Sequence, residues 1–297
     1  MDKAVLTFTM SVADKKVFKD TYFQNEWYQI MPSTSLVLTE SAIDNYPKIS
    51  NPKILIHMNY LTHCFSEEAI EKNSKARYSL KLYNKLADKL GTKNILIHMP
   101  SSLDEFKHLD YGLNIINEEL IRHGKILQFE ITSWSKTLQN YFKLREAYDE
   151  DLKAKGEYHT HTTTTIQKYI DMLISRIEKI DGFKFQIVFD TAHLYSIGLD
   201  GHDMVLLMKP YIEFGMCTYV HLNGNTKPKF STDTHTGIFG KDNKFIDTMH
   251  HISKYCSENK LICVIESTQV GYSWEIYEKF AKTFNYRLVT PSDCFMH

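Results

Sequence analysis

The chain has 297 residues, with 35 Lys and Arg against 36 Asp and Glu for a formal net charge of −1, and it carries 14 histidines and 5 cysteines. A hydrophobic fraction of 43% and a charged fraction of 24% are ordinary for a globular protein and exclude a disordered or fibrous chain. The near-zero charge gives no electrostatic support for nucleic-acid binding, although a local patch can do what the sum does not.

The cysteines Cys64, Cys217, Cys256, Cys263 and Cys294 are odd in number and form no CxxC pair. That argues against a disulfide framework or a cysteine zinc finger and for reduced thiols in an intracellular protein, cytoplasmic, nuclear or viral. The N-terminal stretch MDKAVLTFTMSVADKKVF lacks the apolar run of a signal peptide, and no apolar stretch is long enough to span a bilayer, so no membrane partner is expected.

Eight short apolar runs read as strands in chain order: Val5–Phe8, Trp27–Met31, Lys53–Met58, Asn94–Met99, Ile126–Ile131, Phe185–Asp190, Thr218–Leu222 and Leu261–Glu266. Near-continuous runs such as KILIHM, NILIHM and FQIVFD suit strands covered on both faces, as in a parallel sheet. Helical stripes lie between them. Ser66-Glu67-Glu68 reads as an N-cap with an acidic first turn, followed by Leu80, Tyr83, Ala87 and Leu90 and a stop at Gly91. Leu113, Ile116 and Leu120 form a second stripe before Gly124, and Ile166, Ile170, Leu173, Ile174 and Ile177 a third before Gly182. The segments Phe245–Cys256 and Trp274–Phe284 behave alike. Between the second and third stripes, residues 133–165 are polar and long for a loop; they read as an insertion, helical in part over Leu138–Lys155. Alternating strands and helices predict a (β/α)8 TIM barrel occupying the whole of residues 1–297 as a single domain. A doubly wound open sheet is the alternative.

Ligand-type residues fall at the ends of these strands. His57, His98, Glu130, Asp190, His221 and Glu266 close six consecutive ones, His193 follows three residues after Asp190, and Asp233 and His235 lie in the loop after His221. In a barrel all these ends point to one face, where active sites lie. A single histidine there is most often a satisfied core residue. A set of buried carboxylates is harder to accommodate, because interior charge costs several kcal/mol unless it is paired or coordinated. Divalent cations would remove the mutual repulsion and hold neutral imidazoles too. Nitrogen and oxygen donors without thiolate suit zinc, with manganese, iron or cobalt as alternatives. Other templates fail: there is no Walker A sequence, no GxGxxG and no GxSxG.

The runs FDTAH (Phe189–His193), HLN (His221–Asn223), DTH (Asp233–His235) and the final Ile265-Glu266 pair, in this order, resemble the endonuclease IV family of apurinic/apyrimidinic endonucleases, within the xylose-isomerase-like barrel superfamily. The resemblance runs from about Lys53 to Phe284 and leaves out the first fifty residues. It implies three zinc ions, with manganese or another divalent metal an option at one site. His57, His98 and Glu130 would hold the first. Glu130, shared, would hold the second with Asp190, His221 and Glu266. His193, Asp233 and His235 would hold the third. It further implies a hydrolase of the deoxyribonuclease IV type, cutting double-stranded DNA 5′ to an abasic site, with Glu130 and Glu266 catalytic. Its partner would be DNA with abasic or blocked 3′ ends, and the chain would act as a monomer. Tyr60 and Leu61 match the residues that wedge into the duplex at the lesion. Lys227, Lys229 and Lys241, with Lys244, surround the last metal loop and are candidates for phosphate contacts, against the plainer reading of a solvated surface. A sugar isomerase or epimerase of the same superfamily is the competing activity, and a catalytically dead nucleic-acid-binding barrel a more distant one.

Overall fold

The computed structural model describes residues 3–11, 26–32, 38–59, 64–70, 75–141, 158–239, 243–266 and 274–289. Within them, eight strands form the wall of a barrel: β1 Val5–Ser11, β2 Tyr28–Met31, β3 Ile54–His57, β4 Asn94–His98, β5 Ile126–Ile131, β6 Phe185–Asp190, β7 Tyr219–His221 and β8 Ile262–Ile265. Each pairs in parallel with the next, β8 pairs with β1, and β1 pairs with β2. That last pairing closes the sheet and excludes the open doubly wound alternative. A two-residue strand that the sequence pattern does not reveal, β9 Arg287–Leu288, lies parallel to the start of β1.

Flanking the wall in chain order are α1 Glu40–Asp44, α2 Lys75–Leu90, α3 Leu103–Lys107, α4 Leu109–Glu119, α5 Lys136–Tyr141, α6 Tyr158–Ile177, α7 Thr191–Ser196, α8 Gly201–Glu213, α9 Ile246–Glu258 and α10 Trp274–Thr283. The long ones bury a single stripe. In α2 it comprises Ala76, Leu80, Tyr83, Ala87 and Leu90 with their neighbours, and the helix stops at Gly91, whose φ of +68° suits a residue without a Cβ. A Cβ there would also stand 2.5 Å from the Ser50 Cα, so glycine is needed twice over. Among the described residues no helix is long and apolar enough to cross a membrane.

Two helix starts differ from expectation. Ser66 does not cap α2: Glu67–Ile70 is a separate 3-10 turn, and α2 begins at Lys75. The threonine run at the end of the expected insertion is not loop either. It forms the first turns of α6, where Thr162 and Thr165 are buried, so packing overrides the weak helix propensity of β-branched residues. The expected helix over 138–155 is seen only as α5, which spans Lys136–Tyr141; its remainder lies outside the described residues.

The register decides which residues share the inside of the barrel top. His98 sits opposite Glu130, and Asp190 opposite His221. His57 pairs with Leu96, two before His98; Glu130 pairs with Val188, two before Asp190; His221 pairs with Val264, two before Glu266. Thr7 pairs with Val264, Thr9 with Gln29, and Gln29 with Leu55, two before His57. Side chains alternate along a strand, so all of these have one parity. The circuit rises by four steps of two residues, the shear of eight that a TIM barrel requires.

Candidate metal centre

Parity and strand ends place His57, His98, Glu130, Asp190, His221 and Glu266 on a common inward-facing ring. The remaining three expected ligands arrive from loops. Asp190 caps α7 by accepting a hydrogen bond of 2.9 Å from the His193 backbone N–H, which turns the chain so that His193 enters the cluster. After β7, Gly224 and Thr236 form an antiparallel bridge that folds the loop back over the barrel mouth. Next to Thr236, at the closing end of that loop, His235 has a φ of +35°, an unusual value for a side-chain-bearing residue, held by an Asp233 carboxylate oxygen that accepts its backbone N–H at 3.2 Å.

Glu130 lies at the centre, with no exposed surface. Its Oε2 is 3.1 Å from His57 Nε2 and 3.2 Å from His98 Nε2; its Oε1 is 3.1 Å from His221 Nδ1 and 3.4 Å from His193 Nδ1. Glu266 Oε1 is 3.5 Å from both His57 Nε2 and His221 Nδ1, and its Oε2 is 3.3 Å from His235 Nδ1. Asp233 Oδ2 is 3.1 Å from His193 Nε2 and 2.8 Å from His235 Nε2. All nine expected ligands are thus in one cluster.

Burial alone would raise the Glu130 carboxyl, but the His221 and His98 rings hold it well below the usual carboxylate range. The imidazoles divide. Burial lowers His98 despite Glu130, so that ring stays neutral. Burial would also lower His193, but Asp190 and Asp233 outweigh it and push the ring up to about 10. The same balance takes His235 up to about 9, and Glu266 and Glu130 take His221 well above its ordinary value.

Two observations say that this cluster fits divalent cations. The buried Oε2 of Glu130 accepts no hydrogen bond, although two imidazole nitrogens stand beside it. In addition, His57 Nδ1 and His193 Nδ1 contact the backbone oxygens of Met58 and Ile131 at 2.8 and 2.9 Å. A carbonyl only accepts, so those nitrogens carry protons and Nε2 is the atom turned inward, free to bind a cation once any proton on it is displaced, the arrangement that outer partners impose on metal-binding histidines. The donors are nitrogen and oxygen with no thiolate, which suits zinc and its neighbours.

The closest groupings are cut differently from the sets implied by the resemblance. Ligand atoms of His57, Glu130, His221 and Glu266 lie within 4.8 Å of one another, and so do those of Asp190, His193 and His235. Two further residues hold the carboxylates. Asn223 Nδ2 donates to Asp190 Oδ2 at 2.5 Å and to Glu266 Oε2 at 3.2 Å. Gln29 Nε2 donates to Glu266 Oε1 at 2.7 Å. Asn223 stands in the HLN run, but its clamp role was not legible there. Gln29 carries one faint signal, a polar residue inside a predicted strand, and its inward parity shows only in the register.

A cavity of about 260 Å³ opens beside the cluster, lined by Asn59, Phe65, His98, Glu105, Ser133 and His193 among others. Of the expected DNA-contact residues, Tyr60, Leu61 and Lys241 lie outside the described residues. Lys227 and Lys244 are exposed, and Lys229 lies 5.8 Å above the Tyr195 ring.

The same barrel occurs in solved proteins. Endonuclease IV from Thermus thermophilus superposes with a TM-score of 0.58 at 17% identity, over 95% of this chain and 97% of that one. A second Thermus thermophilus protein, solved after soaking with ZnCl2, gives 0.55 at 12% identity over 94% and 97%. The 3-keto-D-glucoside 4-epimerase YcjR from E. coli gives 0.51 at 11% identity over 95% and 99%. The likeness is one of fold, and it includes an endonuclease and an epimerase alike. No protein-family model matches the sequence, nor does any curated protein.

Proposed function

We propose that this chain is a zinc-dependent DNA-repair hydrolase of the endonuclease IV type, cutting the phosphodiester 5′ to an abasic site in duplex DNA. The observation that carries the reading is the convergence of nine ligand-type side chains, with His193, Asp233 and His235 standing beside the six from the strand ends. His57, His98 and Glu130 would hold one ion, Glu130, Asp190, His221 and Glu266 a second, and His193, Asp233 and His235 a third. Bound cations supply Lewis acidity toward phosphate oxygens and make site water acidic enough to attack at neutral pH.

The chain's own residues do the rest. Asn223 and Gln29 restrain both oxygens of Glu266, which is then fixed to take a proton from the attacking water. Glu130 keeps its charge in full burial because four imidazoles surround it. In-line displacement at phosphorus breaks the bond to the 3′ oxygen, leaving a 3′-hydroxyl and a 5′-deoxyribose phosphate. Lys227, Lys229 and Lys241 are placed in sequence around the mouth loop for backbone phosphates, and Tyr60 and Leu61 for the gap at the lesion.

A sugar isomerase or epimerase is the second reading. The group of His57, Glu130, His221 and Glu266 is sufficient for one cation, and epimerases share the fold. Incision of a duplex with one tetrahydrofuran abasic analogue separates the two. Cleavage on its 5′ side, lost in an E130Q/E266Q double variant, is expected. Equal cleavage by that variant sinks the mechanism, and ketose turnover without incision replaces the reading with the second one.

A further inference from the structure

We infer that Gln29 is a positioning residue of this centre: it selects the nitrogen that His221 presents to the carboxylates and anchors Glu266. The inference rests on the metal-centre reading above. Gln29 is fully buried on β2, in the N-terminal region that the family resemblance leaves out. Its Nε2 lies 2.7 Å from Glu266 Oε1 and 2.8 Å from Thr9 Oγ1, and its Oε1 lies 2.9 Å from His221 Nε2. A carboxylate only accepts, so the amide nitrogen belongs on the Glu266 side and the amide oxygen on the His221 side. An amide oxygen also only accepts, so His221 Nε2 carries a proton. The lone pair of the neutral ring is therefore on Nδ1. That atom faces Glu130 Oε1 at 3.1 Å, Glu266 Oε1 at 3.5 Å and Asp190 Oδ2 at 3.6 Å.

His221 is the exception to its neighbours. His57 and His193 have Nδ1 engaged by backbone carbonyls and so present Nε2. His221 presents Nδ1, and a side chain rather than the backbone sets that choice. A lone pair facing three carboxylate oxygens is repelled, so a cation, or a proton in its absence, must lie among them. The same amide, through its other end, keeps Glu266 Oε1 at that point. One residue thus orders two ligands of the shared ion, and it can be changed without altering either ligand.

The test compares wild type, Q29M and Q29E. Methionine keeps the length and burial and removes all three hydrogen bonds; glutamate keeps the acceptor for His221 and removes the donor to Glu266. Chelator-competition titration with zinc is expected to give roughly 10- to 100-fold weaker binding of one ion in Q29M, the usual effect of losing an outer partner of a metal ligand. Long-range 1H–15N spectra of the zinc-loaded proteins should show His221 protonated at Nε2 in wild type and Q29E, with that signature lost or shifted in Q29M. Wild-type zinc affinity and an unchanged His221 signature in Q29M would overturn the inference. If Q29M fails to fold, Q29E decides: weaker zinc binding with the His221 signature kept supports it, and wild-type affinity overturns it. If wild type itself takes up no zinc, the metal-centre reading fails separately. Gln29 is then judged on the His221 tautomer of the metal-free proteins at alkaline pH, where identical wild-type and Q29M spectra overturn it.

Discussion

Glu130 touches four imidazoles, and the consequence at the residue scale is a proton balance. In the metal-free chain His193, His221 and His235 hold their protons at neutral pH because carboxylates surround them. Cations and these protons compete for the same nitrogens. The direction of the linkage follows. A folded value above the unfolded one of about 6.5 contributes stability that is complete below about pH 6.5. It is lost as pH rises through the folded values of about 9 for His235 and about 10 for His193. The chelated protein is therefore expected to melt at progressively lower temperature from pH 7 to pH 10, whereas the zinc-loaded protein, its imidazoles already deprotonated, should change little. Calorimetric melts of both forms across that range check it, and parallel curves would contradict it. The strand-end ligands were legible because an apolar run closing on His, Asp or Glu is costly without a reason. Gln29 was not, because a single polar residue in a strand has many ordinary explanations and its parity with His57 appears only once the register is known.

Among the elements, the strands were read to within about a residue at most ends, since β-branched apolar runs leave little choice. Helix starts were read less well. The Ser66 cap signal is spent on a 3-10 turn, and the threonines opening α6 are held by burial that no local pattern reports. The 3-10 turn follows the β3 loop and is braced from α4. Gly112 on α4 lies so close that a Cβ would stand 2.3 Å from Phe65 Cδ1 and 2.8 Å from the Cys64 carbonyl oxygen. In an exposed helix, Gly to Ala gains up to about 1 kcal/mol. Here the ring could turn aside, but the backbone oxygen cannot, so overpacking wins. G112A is expected to lose about 1–3 kcal/mol of stability in urea unfolding. A variant as stable as wild type would show that the turn is not braced there.

For the whole molecule, barrel closure turns strand-end chemistry into a single site. Eight parallel strands with a shear of eight bring residues as distant in sequence as Gln29 and Glu266 into contact. Bound cations would also change the electrostatics of the chain. A formal net charge of −1 would become +5 with three divalent cations, and the added charge would sit at the barrel mouth, where a phosphate has to bind. The incision mechanism and the contrast between the chelated and zinc-loaded melts rest on cations being held there. The direct measurement is the number of zinc ions per chain, by native mass spectrometry of protein purified without chelator and checked by elemental analysis. Three ions are expected, with at least one lost in an E130Q/E266Q variant that keeps its fold. One ion per chain would favour the isomerase reading, and none, in a folded protein offered zinc, would contradict the account at its root.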